Sequence, residues 1–140
     1  MQPAEDSWRY LTEENEFVDG KDKVAMVSDG YNLSVFVVFY TPEFQGGKKP
    51  IVSINYTNPG KWVTSFCFDD CDIYLNIDGK KLKFKAEAGK AAYFFKEPLK
   101  VINAIKNAKV IKVKLPPPLY GDTDTHTFLI AEPLDLNQLK

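Results

Sequence analysis

The sequence predicts a mainly β protein, an antiparallel β-sandwich of about eight or nine strands with one α-helix near residues 98–107. Runs rich in β-branched and aromatic residues recur along the chain between turn signals, as strands do. Asp-Gly dipeptides, typical of tight hairpin turns, occur at 19–20, 29–30 and 78–79. In a single segment the apolar residues recur at the spacing of a helix instead of alternating. The spacing favours a sandwich over repeated βαβ units, and a curled barrel is the alternative.

The length of 140 residues suits a single domain, 1–140. Hydrophobic residues make up 44% and charged residues 26%, as in ordinary globular proteins. No apolar run is long enough to predict a membrane span. The N-terminal "MQPAEDSW" lacks the shape of a signal peptide. We therefore expect either a cytoplasmic protein or an exported mature domain behind an added Met1, whose longer precursor could carry a lipid anchor.

Four strands are predicted between residues 31 and 78. The segment "YNLSVFVVFY" (31–40) is nearly continuous in hydrophobicity, which predicts a central strand buried on both faces. A second strand, "PIVSINYTN" (50–58), follows a glycine-containing loop. The segments "KWVTSFCF" (61–68) and "CDIYLNID" (71–78) are expected to pair with one another.

The strand 71–78 and the segment "KKLKFKAEA" (80–88) are joined by the third Asp-Gly turn and alternate between apolar and polar residues. Each is therefore expected to have one buried face. The expected inward residues are Ile73, Leu75 and Ile77 in the first strand and Leu82, Phe84 and Ala86 in the second. The lysines that alternate with them form a row facing water.

The one helix is predicted where the period changes. Pro98 suits a first helical position, and Leu99, Ile102 and Ile105 are spaced three apart. The remaining elements are predicted from composition and alternation. They are strands at "KAAYFFK" (90–96), "KVIKVKL" (109–115) and "THTFLIAE" (125–132), with a turn of helix at "PLDLNQLK" (133–140).

Both cysteines lie in "FCFDDCDIY" (66–74). If Cys67 ends one strand and Cys71 begins the next, the two face each other across a three-residue loop at a Cα separation that a disulfide accepts. Unpaired buried thiols are the second interpretation. A metal or redox site is the third, since Cys-x₃-Cys supplies two thiolates where a structural zinc needs four ligands. The disulfide is the preferred prediction.

Charge is distributed unevenly. Residues 80–114 carry eleven lysines against Glu87 and Glu97, a net +9, whereas residues 1–30 carry a net −5. Arg9 is the only arginine. Arginine is the usual residue for reading base edges, so we expect no sequence-specific binding of nucleic acid.

Five of the lysines are expected to share one face of the sheet, called here the lysine face: Lys81, Lys83, Lys85, Lys112 and Lys114. Such a face either discourages pairing of exposed strands with other chains or binds an acidic partner. Trp62 and Tyr120, in aromatic loops, are candidates for the same binding surface.

No motif for catalysis, metal binding or cofactor binding is recognisable, and we expect a protein that is not an enzyme. The serines lack a nucleophile elbow, and no glycine loop is arranged to cradle phosphate. His126, the only histidine, could act as a base if Asp122 or Asp124 orients it. The sequence "PPPLY" (116–120) matches a form that WW domains bind, but a rigid loop explains it as well.

An ordered set of motifs resembles that of small exported bacterial β-rich proteins, often lipoproteins, of uncharacterised function. The motifs are Trp8-x-Tyr10, "DGK" (19–21), "SDGYNL" (28–33), "PEFQGGKK" (42–49), "FCFDDCDIYLNIDGKKLKF" (66–84) and "LKVINAIKNAKVIKV" (99–113). A more distant similarity is to the invasion-associated locus B family of periplasmic β-rich domains. The resemblance implies a location in the cell envelope and supplies no catalytic residues.

These observations lead to one functional hypothesis and one main alternative. The first is a non-catalytic domain of the bacterial periplasm or envelope that binds a protein or other macromolecule. The alternative is a carrier of a small apolar ligand, because ten Phe, seven Tyr and two Trp could line a β-barrel-like cavity.

Overall fold

The computed structural model describes residues 5–30, 34–44, 46–57, 67, 70–116 and 125–140. They form ten strands, one α-helix and a terminal 3₁₀ turn. The elements are β1 (Glu5–Asp6), β2 (Arg9–Glu14), β3 (Lys21–Ser28), β4 (Ser34–Pro42), β5 (Lys48–Tyr56), β6 (Cys71–Ile77), β7 (Lys80–Ala88), β8 (Ala92–Phe95), α1 (Pro98–Ile105), β9 (Val110–Lys114), β10 (Thr125–Ile130) and the 3₁₀ turn (Leu136–Leu139). Within this part of the chain no helix is long and apolar enough to cross a membrane.

All ten strands belong to one sheet, in the order β1-β10-β9-β6-β7-β8-β5-β4-β3-β2. The short β1 runs parallel to β10, and every other pairing is antiparallel. The sheet is not closed, because β1 and β2 are its two edges.

The two edges nevertheless lie close together, because only Ser7 and Trp8 separate Asp6 on β1 from Arg9 on β2. Ten strands laid flat would place the edges about 43 Å apart. Three peptide units span at most about 11 Å. The sheet must therefore fold back on itself, and it does: the rings of Phe36 on β4 and Phe128 on β10 lie 5.7 Å apart. The predicted mainly β, sandwich-like fold with one helix is confirmed.

The core lies between the two layers of the folded sheet. Phe36 is its centre, with Trp8, Phe95 and Phe128 within 6.4 Å, centroid to centroid. The helix α1 closes the core by burying Val101, Ile102 and Ile105. Beyond β10 the chain passes the C-terminal end of the helix, where the Leu134 N–H donates to the Lys106 carbonyl. Four aromatic side chains thus pack against one another in the described core.

The local predictions are confirmed where turn chemistry and alternation decide the structure. Strands β6 and β7 pair through the turn at Asp78 and Gly79, both of which have positive φ. The six expected inward residues of these strands are buried or half-buried. The predicted helix and terminal turn are also present.

The predicted pairing of 61–68 with 71–78 falls on residues outside the described part of the chain, apart from Cys67, and stays a prediction. The described partners of β6 are β7 along its length and β9 over Tyr74–Ile77. One local prediction is wrong. Strand β4 was expected to be buried on both faces, but one face remains partly exposed.

Candidate functional site

The lysine face is built on three neighbouring strands. Strand β6 lies between β7 and β9, and directly paired residues of an antiparallel sheet point to the same side. Tyr74 is paired with Lys83 and Lys114, and Asn76 with Lys81 and Lys112. The inward residues of these strands fill the core, so the lysines lie together on the outer surface, where all are exposed.

The paired residues form two rows across the three strands, one of Lys83, Tyr74 and Lys114 and the other of Lys81, Asn76 and Lys112. A groove of about 530 Å³ runs between these rows. Lys81, Lys112 and Lys114 line it. Leu75 and Val113 also contribute to its lining, and because their side chains are buried in the core they form its floor. A smaller groove of about 270 Å³ adjoins it and shares Tyr74 and Lys114.

Tyr74 is the exposed aromatic residue of this site, with 48% of its surface accessible. Its strand position explains the exposure, because the residues before and after it, Ile73 and Leu75, are buried in the core. The tyrosine therefore stands between two grooves with a lysine on each neighbouring strand. An aromatic ring with a polar tip in this setting can pack against a partner and donate a hydrogen bond.

One lysine of the face is neutralised within the molecule. Lys85 Nζ lies 2.6 Å from Asp72 Oδ1. The hydrogen bond from Lys85 holds the pKa of Asp72 below its ordinary value, and the same bond raises the pKa of Lys85.

The other four lysines of the face make no salt bridge with any acidic side chain of the described residues. Strand spacing and rise place their Cα atoms at the corners of a rectangle of about 10 by 7 Å. Neighbouring charges in this rectangle are about one screening length apart or closer at about 0.1 M ionic strength, so their potentials add over the groove.

The disulfide forms a corner beside this face. Cys67 and Cys71 are joined with Cα atoms 5.3 Å apart, which confirms the predicted pairing. Asp70, inside the corner, forms an ion pair with Lys96, and this contact raises the pKa of Lys96. Lys96 also lies 3.5 Å from Glu87 on β7, so the corner ties the start of β6 to the neighbouring strands.

The candidates Trp62 and Tyr120 lie outside the described residues, as do Asp122 and Asp124. Within the described ranges, no cluster of three or more His, Cys, Asp or Glu is placed to hold a metal ion. Of the "PPPLY" segment, only Pro116 is described, and it lines the smaller groove.

His126 occupies a buried polar cluster that the sequence patterns did not reveal. Its Nδ1 lies 2.9 Å from Ser34 Oγ and 3.1 Å from Asp29 Oδ2, and all three residues are at most 3% exposed. The partners are 92 and 97 positions away in the chain, so no local motif could indicate them. Ser34 and Asp29 contact the same ring nitrogen, Nδ1. In a catalytic triad the serine and the aspartate contact different nitrogens of the imidazole ring. The cluster is arranged to join β10 to the β3–β4 connection.

The chain matches no protein-family model, and no curated protein and no solved structure matches it significantly. The resemblance to exported bacterial proteins therefore stays a prediction.

Proposed function

We propose that this protein is a non-catalytic binding domain of the bacterial cell envelope, and that its lysine face docks an acidic protein partner. The observation that carries the proposal is the groove flanked by Lys81, Lys112 and Lys114, whose charges have no acidic partner among the described residues. An acidic surface placed there would supply the missing counter-charges.

The shape of the site supports a macromolecule over a small anion. Small-molecule sites are concave and enclose most of their ligand, with a few fixed polar groups. Here the lysines are exposed on long, flexible stems, and the groove lies open on the sheet surface. The exposed Tyr74, which stands between the two grooves, supports a protein partner, since tyrosine is enriched in protein interfaces.

The disulfide supports the envelope location. Disulfides form and persist in oxidising compartments such as the bacterial periplasm and are rare in the cytosol of mesophiles. The Cys67–Cys71 bond agrees with the location that the motif resemblance implies. The cytoplasmic alternative requires this pair to be reduced in the cell.

Capture from an envelope extract tests the proposal. The bait is the protein, compared with a variant in which Lys81, Lys112 and Lys114 are changed to Glu. A matched control changes Lys100, Lys109 and Lys140, which are exposed outside the lysine face, to Glu. We expect the wild type and the control to retain the same acidic protein and the first variant to lose it. Equal capture by all three would exclude the lysine face.

A further inference from the structure

The outer surface of the sheet has a second half, with a different character. On β3, β4 and β5 one set of side chains enters the core, and the alternate set points outward. The apolar members of the outward set are partly exposed, and together with exposed residues of β2 and β8 they form what is called here the outer apolar face. Its members are Leu11, Val24, Met26, Val35, Val37, Phe39, Ile51 and Phe94.

The strand register arranges these side chains in continuous rows. One row runs from Leu11 through Val24 and Phe39 to Ile51. The row beside it runs from Met26 through Val37 and Ser53 to Phe94. An antiparallel sheet with one solvated face normally alternates apolar inside with polar outside, so two adjacent apolar rows indicate a surface that another molecule covers.

Charged residues of opposite sign stand at the two ends of the rows. Arg9 on β2 is paired with Met26 at one end of its row, and Glu87 on β7 is paired with Phe94 at the other end. A third row, of polar residues, lies beside the Leu11 row. It begins at Glu13, which is paired with Asp22, and ends at Lys49, which is paired with Thr41. The Thr41 hydroxyl donates to Asp22 at 2.9 Å, which joins the two halves of that row. The Met26 row is therefore positive at its β2 end and negative at its β7 end, whereas the third row is negative at its β2 end and positive at its β5 end.

From this pattern we propose that the protein forms a two-fold symmetric homodimer through the outer apolar face. A two-fold axis in the interface, parallel to the strands, brings the β2 side of each copy over the β8 and β7 side of the other. Arg9 of each copy then approaches Glu87 of its partner, Met26 covers Phe94, and Phe39 covers Ile51. Lys49 approaches Thr41 and Asp22 of the partner on the acidic side of the face. The Met26 row is therefore complementary to itself in polarity and in charge.

The area of the face is sufficient for a modest dimer. Five strands, β2 to β5 and β8, at about 4.8 Å and three rows at about 6.8 Å give a patch of about 500 Å² per copy, or about 1,000 Å² in total. This is at the lower limit for a specific interface. We therefore expect a dissociation constant of about 1 μM or weaker.

The proposal does not rest on the proposed function, because the lysine groove and the apolar rows are separate. Strands β6, β7 and β9 line the groove, and the apolar rows lie on β2 to β5 and β8, with Glu87 of β7 only at the end of one row. Dimerisation through the apolar face leaves the lysine groove open. No partner is needed to test the dimer, so the two proposals fail separately.

Sedimentation of the purified protein over a range of about 5 to 500 μM is the test. We expect the wild type to approach the mass of a dimer and Phe39→Lys to remain a monomer. Tyr74→Lys, the same type of change on the lysine face, is the control and should associate as the wild type does. Circular dichroism checks that each variant is folded. A wild type that stays monomeric throughout, or a Phe39→Lys variant that still dimerises, overturns the proposal.

Charge exchange tests the two-fold arrangement independently, because it leaves the apolar rows intact. Arg9→Glu and Glu87→Arg, made singly, should each weaken the dimer by about three- to tenfold, since each places like charges opposite one another. The double variant Arg9→Glu/Glu87→Arg should recover most of the wild-type affinity. Additive weakening in the double variant overturns the arrangement.

Discussion

The Asp29 carboxylate lies between the two layers of the sheet, with His126 and Ser34 as neighbours. Asp29 is 3% exposed, and its backbone N–H donates to the Ser34 carbonyl. Nearby, the Gly30 N–H donates to the Thr127 carbonyl on β10. A buried carboxylate is stabilised only by such contacts, so its replacement removes the group on which the cluster is built.

The first prediction concerns the stability that this cluster supplies. Asp29→Ala should lower the free energy of unfolding by about 2–3 kcal/mol, because it leaves a cavity and removes hydrogen-bonding partners from buried groups. Asp19→Ala, at the exposed aspartate of the first Asp-Gly dipeptide, should change it by less than about 0.5 kcal/mol. Urea unfolding measures both. Equal effects would mean that the buried cluster does not stabilise the fold.

The second prediction concerns the ion pair of Asp72 with Lys85. Because the pKa of Asp72 is lowered in the folded protein, the pair stabilises the fold above the ordinary pKa of aspartate. That contribution is lost as the pH falls through the lowered value. In an NMR titration, Lys85→Gln should raise the Asp72 midpoint, and Lys83→Gln should raise it less, because Lys83 contributes a smaller Coulombic effect. The opposite order would contradict the assignment of the hydrogen bond.

At the scale of elements, the disulfide corner fixes the start of β6 rather than the whole fold. It joins residues four positions apart in the sequence, and for so short a loop the chain-entropy estimate gives about 1–2 kcal/mol. Reduction of the wild type should lower the free energy of unfolding by that amount. The Cys67→Ser/Cys71→Ala variant should not respond to the reductant. A loss above about 4 kcal/mol would show that the corner holds more than β6.

A second consequence concerns the compartment. Protein isolated from its own source under conditions that trap thiols should show no free thiol by mass spectrometry. Two trapped thiols would contradict both the oxidised corner in the cell and the envelope location.

The elements themselves show which features a sequence can reveal. The β6–β7 hairpin and the helix were predictable, because Asp78-Gly79 and Pro98 act locally. The partner of β6 on its other side is β9, whose pairing depends on residues more than thirty positions away. The predicted burial of β4 was wrong for one of its faces. Composition alone does not distinguish an apolar face packed in the core from an apolar face left partly exposed for another molecule.

At the scale of the whole molecule, one continuous sheet surface carries two distinct chemistries. The lysines of the groove were predictable as a set from their alternation, but the groove exists only because β9 lies beside β6. The apolar rows of the other half follow from register in the same way. Since the sheet folds back between the two halves, a homodimer would present two lysine faces on its outer sides.

The last prediction uses poly-L-glutamate as an acidic probe of the lysine face. Four lysines that form no salt bridge with the acidic side chains of the described residues attract a polyanion over distances comparable to the screening length, which shortens as salt is added. Binding of the labelled probe, followed by fluorescence anisotropy, should weaken several-fold between about 50 and 200 mM salt. The variant with Glu at Lys81, Lys112 and Lys114 should bind weakly at every salt concentration.

The control with Glu at Lys100, Lys109 and Lys140 decides whether this attraction is local. It has the same net charge as the groove variant, so a long-range effect of net charge alone would weaken both equally. Retention of binding by the control places the attraction at the groove. Equal loss would mean that the probe responds to the charge of the whole molecule, and the groove would then have no special role in docking.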